Sequence, residues 1–140
     1  MKKPIVIVGA GGLGKEIACL IEGISEYQVI GFYDDGIPKD ELILGKYPVL
    51  GTTSDLKSLN NEQSVVVAFG NPKTRKKVWE LLASNEKLSF PVLIHPQALL
   101  MNNERITLGR GVVVFPFSIL TTDIVLGDNC LVHTLSLIHI

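Results

Sequence analysis

Residues 106–132 read ITLGRGVVVFPFSILTTDIVLGDNCLV, and their spacing decides the fold. Aliphatic residues recur every six positions, at Leu108, Val114, Leu120, Leu126 and Val132. A second set lies two residues earlier: Ile106, Val112, Ser118, Ile124 and Cys130. Strands repeat at two and helices at 3.6, so a step of six belongs to neither. It is the mark of hexapeptide repeats in a parallel β-helix. In each hexad the aliphatic residue should point inward and the residue two before it should fill a corner. A glycine, as in Leu108-Gly109 and Leu126-Gly127, or a small polar residue should turn the chain. At three hexads per turn, residues 108–134 make only about one and a half coils. Val112, Val114, Leu120, Ile124 and Leu126 are therefore expected to bury poorly, and the coils to be mobile or sticky.

Toward the amino terminus the pattern changes. KPIVIV, residues 3–8, suits a buried strand, and GAGGLG, residues 9–14, follows at once. Ile17, Leu20, Ile21 and Ile24 then recur at helical spacing, with Cys19 read as a further core position. YQVIGFY, residues 27–33, is a second strand, stopped by Asp34-Asp35-Gly36. The middle is weaker: residues 47–50 surround Pro48 and read as an edge or loop. Thr53 or Ser54 is expected to cap a short helix. SVVVAF, residues 64–69, is a third strand, and Asn71 and Pro72 start a helix reaching about Ser84. Its core face should hold Val78, Leu81 and Leu82, with Trp79 at the edge. FPVLI, residues 90–94, is expected as the fourth strand of this parallel, three-layer α/β sheet. The chain thus divides into a Rossmann-like domain over 1–95 and a partial β-helix over 96–134.

Gly9, Gly11 and Gly14 match G-x-G-x-x-G between a strand and a helix. The first allows a tight turn, the second a close phosphate, and the third close packing of helix on strand. The amides of a helix N-terminus favour an anion. Asp34 and Asp35 end the second strand, about twenty residues on, where a ribose-binding carboxylate sits in such folds. The fingerprint alone does not choose the nucleotide. About 95 residues precede the hexads, too few for a six-stranded dinucleotide fold.

Taken together, IVIVGAGGLGKEI (5–17), GFYDD (31–35), YPVLGT (47–52), VVVAFGNPKTR (65–75) and LIHPQALL (93–100) resemble the sugar O-/N-acetyltransferases of the NeuD and PglD type. The resemblance runs from residue 3 to about 134. It implies a Rossmann-like domain followed by a left-handed β-helix, and acetyl transfer from acetyl-CoA to an amine or hydroxyl of a nucleotide-linked sugar, as in surface-polysaccharide or glycan synthesis. It implies that Gly9, Gly11, Gly12, Leu13, Gly14, Asp34 and Asp35 hold the nucleotide part, with Gly70 and Asn71 lining the same crevice. It implies acetyl-CoA bound between β-helices of a homotrimer. The family loop often carries His where this chain has Leu13, which leaves a simple amine or hydroxyl acceptor open.

The family's general base is a His inside the β-helix, expected beyond Thr134; His133 is a weaker candidate. His95, before Pro96, reads as a junction residue. The last six residues, LSLIHI (135–140), are expected to interrupt the hexads. They match what a transposon-adapter end encodes and are expected to be a non-native tail on a truncated, inactive chain. His139 falls in that tail.

Composition narrows the field. Net charge is −1, with 13 Lys+Arg against 14 Asp+Glu, so no basic field awaits a nucleic acid. The longest apolar runs, at residues 5–8 and 111–115, are far short of a membrane span. Cys19 and Cys130 form no CxxC, so neither a disulfide framework nor a zinc site is expected, and no metal. A soluble cytoplasmic protein is the expectation. Two other readings stand beside the transferase. An NAD-type oxidoreductase would need a second catalytic domain. A non-catalytic nucleotide-sugar binding module would need none.

Overall fold

The computed structural model describes residues 1–138, which divide at Phe90/Pro91 into two compact units. The first unit is a six-stranded sheet built in the order β1 (Lys3–Val8), α1 (Gly12–Glu22), β2 (Tyr27–Tyr33), β3 (Leu42–Ile43), β4 (Tyr47–Gly51), α2 (Thr53–Lys57), β5 (Gln63–Val67), α3 (Pro72–Ala83) and β6 (Leu88–Ser89). The strand order is β3-β4-β2-β1-β5-β6. All neighbours are parallel except the short β3, which pairs antiparallel with β4.

The pleat sorts the core. Val6 and Val8 point to one face and join Tyr33, Leu56, Val65, Val67, Trp79, Leu82, Leu88 and Phe90 under α2 and α3. Ile5 and Ile7 point the other way, beside Phe32, which pairs with Ile7. Phe32 lies against Gly14 of α1, so α1 covers that face and three layers result. Trp79 and Phe90 pack tilted, with ring centroids 4.3 Å apart.

Several expectations change here. Residues 47–51 form a true strand, paired on both sides, because the two-residue β3 shields Pro48 from being a free edge. Thr52, not Thr53 or Ser54, caps α2: its hydroxyl accepts from Asp55 N while the Asp55 carboxylate accepts from Thr52 N. On α3 the buried residues are Trp79 and Leu82, whereas Leu81 is exposed. Cys19 is exposed too, one residue off the buried stripe of Ile17, Ala18, Leu20 and Ile21.

The strand expected at residues 90–94 is replaced in the sheet by β6, at Leu88–Ser89, which pairs with β5. Leu93 and Ile94 instead start the second unit as β7 (Leu93–Ile94), paired with β10 (Val113–Val114). The remaining strands are β8 (Leu99–Leu100), β9 (Ile106–Leu108), β11 (Ile119–Leu120), β12 (Ile124–Leu126), β13 (Leu131–Val132) and β14 (Leu137–Ile138). They stack in parallel as three faces, β7-β10-β13, β8-β11-β14 and β9-β12. These are the coils of a left-handed parallel β-helix.

The described coils are more numerous than about one and a half. Ile94 pairs with Val114, twenty positions on, while Val114 pairs with Val132, eighteen on. The first coil therefore carries two extra residues, at the 3₁₀ turn Asn103–Arg105, and these put the six-residue period out of phase upstream of Ile106. Val112, Val114, Leu120 and Ile124 are buried rather than poorly covered, because Ile94, Ala98, Leu100, Val132 and Ile138 pack around them; Leu126 is half-buried. Nor do the hexads break at residue 135. Ser136 and Ile138 continue the step from Ser118 and Leu120, and Leu137–Ile138 pair with Ile119–Leu120. His139 and Ile140 lie outside the described residues.

The turns also differ from the expected glycines. Left-handed backbone recurs every six residues, at Gly111, Phe117, Asp123, Asn129 and Leu135, three before each inward aliphatic. Gly109 and Gly127 are not among them. Ser118 fills its corner as expected, buried, with its hydroxyl donating to Phe115 O at 2.7 Å.

Candidate functional site

Strand β1 sits at the centre of the sheet, and the chain leaves it toward β2 on one side and returns beside it as β5 on the other. The crevice at the carboxyl ends of β1 and β5 is thus a topological switch point, where open α/β sheets place ligands. Two of the fingerprint glycines are required by geometry. Gly9 has φ +103°, and a Cβ there would lie 2.8 Å from Ala68 O. A Cβ on Gly14 would lie 1.9 Å from Gly9 O, so only glycine lets α1 start this close to the turn. Gly11 is different: nothing lies within 4 Å of the position its Cβ would take. It faces open space at the N-terminus of α1, which has no side-chain cap and no acid in its first turn. The leading amides of α1 are thereby left for a ligand or water. Leu13 is half-buried in this turn.

The two aspartates have different tasks. Asp34 Oδ2 accepts from Ala10 N at 2.9 Å and Oδ1 from Gly36 N at 2.8 Å. It ties the glycine turn to the end of β2. The exposed Asp35 accepts from Thr53 N with Oδ1 at 2.8 Å, which anchors the start of α2. Beside them, burial raises the pKa of Tyr33, and the Asp55 charge adds to that. The bonds from Thr52 hold Asp55 below the ordinary carboxylate value.

On the other lip, Ala68 N donates to Val8 O at 2.8 Å, and the Phe69 ring lies against Gly9. Gly70 is exposed with open space around it. Asn71 is turned inward to its own helix: its Oδ1 accepts from Lys73 N and Thr74 N. The structure therefore gathers Gly9–Gly14, Asp34, Asp35, Gly70 and Asn71 around the ends of β1, β2 and β5. The Thr52–Asp55 capping box carries a sequence signature, T-x-x-D before an apolar residue, that places the cap at Thr52.

The remaining candidates lie in the second unit. His133 is exposed after β13, its ring 5.1 Å from that of Phe115. His95 Nδ1 accepts from Gln97 N at 3.1 Å. Among the described residues no group of three or more His, Cys, Asp or Glu could hold a metal. No described helix is long and apolar enough to cross a membrane.

A switch-point α/β sheet followed by a left-handed β-helix defines a class of two-part proteins. Residues 4–82 match the PglD N-terminal domain, and the chain belongs to that family. It is 32% identical over 115 residues to UDP-N-acetylbacillosamine N-acetyltransferase of Bacillus subtilis, covering 80% of this chain and 51% of that protein. Among solved structures it resembles the acetyltransferase domain of PglB from Neisseria gonorrhoeae in complex with acetyl coenzyme A. There the TM-score is 0.85 at 33% identity, over 99% of this chain and 65% of that one. It also resembles a histidine-substituted perosamine N-acetyltransferase from Caulobacter crescentus in complex with CoA and GDP-perosamine. That match has a TM-score of 0.84 at 25% identity, over 96% of this chain and 62% of the other. The chain thus spans about half to two thirds of the length of these relatives.

Proposed function

We propose that the whole protein is an acetyl-CoA-dependent acyltransferase that acetylates an amino or hydroxyl group of a nucleotide-linked sugar, in polysaccharide or glycan synthesis. The observation that carries this is the uncapped start of α1 at the β1–β5 switch point, beside the exposed Asp35, in a chain whose relatives include nucleotide-sugar N-acetyltransferases. The glycine turn takes the nucleotide's phosphates on the α1 amides, and the second oxygen of Asp35 takes a ribose hydroxyl. Gly70 lines the opposite lip, and Asn71 keeps that lip in shape by capping α3.

In the reaction the acceptor nitrogen or oxygen attacks the thioester carbon. The new bond forms, the carbon–sulfur bond breaks, and a general base takes the acceptor proton and passes it to the departing sulfur, so that CoA leaves as its thiol. Acetyl-CoA binds between β-helices of neighbouring subunits in a homotrimer. The outward column Leu99, Ile119 and Leu137 on the second β-helix face supplies apolar surface for such packing. Among the described β-helix residues His133 has the freer ring for the proton, since His95 is engaged by Gln97.

A thiol-release assay on the full-length protein, with acetyl-CoA and a panel of UDP- and GDP-linked amino sugars, tests this reading. CoA release that depends on one nucleotide-linked amino sugar is expected. Release with free sugars alone, or tight NAD binding with no release, would count against it. His133→Ala with unchanged turnover puts the base elsewhere.

A further inference from the structure

The first two turns of α3 read Pro72-Lys73-Thr74-Arg75-Lys76-Lys77, four cations and no acid. Cations are disfavoured at a helix N-terminus, because the exposed amides already carry positive partial charge. Lys76 has Glu80 one turn on, at 4.0 Å. Arg75 has no carboxylate within salt-bridge distance among the described residues, although it is half-buried. Its one bond there is from Nη1 to Phe69 O, at 3.3 Å. Phe69 follows β5, and its ring sits against Gly9. The guanidinium is therefore tethered by one donor to a carbonyl at the β1–β5 switch point, and none of its five N–H groups meets a carboxylate among the described residues.

A cation partly withdrawn from water and without a counter-ion gains by pairing with an anion. The guanidinium fork suits phosphate oxygens in pairs. We propose that Arg75 binds the diphosphate of the nucleotide-linked acceptor, opposite the α1 amides, and so selects nucleoside diphosphates over nucleosides. This rests on the nucleotide reading above and names a residue that reading does not use.

Titration calorimetry on the 140-residue chain, with UDP, GDP, uridine and guanosine as probes, tests it. The wild type should bind one of the diphosphates more tightly than its nucleoside. Arg75→Gln should weaken that diphosphate about ten- to a hundredfold, the range of a charge-assisted contact, and leave the nucleoside within about twofold. Arg75→Lys should recover part of the loss, since it keeps the charge but not the fork. Unchanged diphosphate affinity in Arg75→Gln overturns the assignment while the nucleotide reading stands. Equal losses for diphosphate and nucleoside make Arg75 a structural support of the Phe69 turn and also overturn it. A wild-type chain that binds none of the four probes removes both readings.

Discussion

At Gly9, Gly11 and Gly14 one motif joins a steric requirement to the proposed phosphate contact, and substitution can part them. Gly14 has the oxygen of Gly9 where a methyl group would go, and neither backbone can yield without moving α1 off the sheet. Gly14→Ala should therefore cost about 3 kcal/mol of stability, the upper range for overpacking, as measured by urea unfolding. Gly11 meets no protein atom, so Gly11→Val should leave the melting temperature within a degree or two and still remove nucleotide affinity, because the branched side chain takes the phosphate's place. Unchanged affinity in that variant would make the loop a turn and nothing more. The steric purpose was legible in the sequence, because G-x-G-x-x-G after a strand has one steric solution. The task of Asp34 was not. A carboxylate at the end of β2 reads as a ribose ligand, yet here both oxygens already accept from Ala10 and Gly36 amides. Only the fold brings Ala10 to it across 24 positions of sequence.

At the scale of the element, caps and pairings decide. Asn71 satisfies two leading amides of α3, so Asn71→Ala should cost about 1 kcal/mol, and Asn71→Ser, which restores a capping oxygen, should recover most of it. If Asn71 is purely a cap, nucleotide affinity per folded molecule should not change in the serine variant. A second tie joins the end of α1 to the start of β4: Glu22 accepts from Lys46 Nζ at 2.8 Å and from the Tyr47 hydroxyl. The bond from Lys46, followed by that from Tyr47, lowers the Glu22 pKa. A carboxylate with a depressed folded pKa adds stability above its unfolded pKa and loses it as pH falls through the folded value. The protein should therefore lose part of its stability below about pH 4.3, the unperturbed Glu value, and Glu22→Gln should flatten that limb of the urea midpoint against pH. The strands of the first unit were readable because β1, β2 and β5 are apolar runs bounded by turn residues. The first β-helix coil was not, since two extra residues at the Asn103–Arg105 turn shift the phase of Leu93–Leu100 against the hexads that follow. The left-handed turn positions were hidden for another reason: Phe117 and Leu135 occupy a conformation that composition assigns to glycine or asparagine.

For the whole molecule, surface and division matter most. Phe117 and Leu135 are 55% and 80% exposed, near the outward Leu99 and Leu137, at 52% and 60%. Apolar residues gathered so on one β-helix face favour association. Light scattering should show self-association that Leu99→Lys reduces. The two units should also be separable. The core under α2 and α3 closes on Phe90, which is 5% exposed and packs on Trp79. Residues 1–90 therefore contain every member of that cluster, whereas residues 1–87 lack Leu88, Phe90 and the β6 pairing with β5. A chain of residues 1–90 should melt cooperatively and keep its nucleotide affinity; one of residues 1–87 should lose about 3 kcal/mol or more, the cost of removing a large buried apolar group. Trp79 is the single tryptophan, so its fluorescence reports the first unit alone. In the 140-residue chain its transition should move with added nucleotide, as binding to the folded state requires. The circular dichroism of the β-helix coils should stay where it was. A single shared transition that nucleotide shifts as a whole would show that the units unfold as one body.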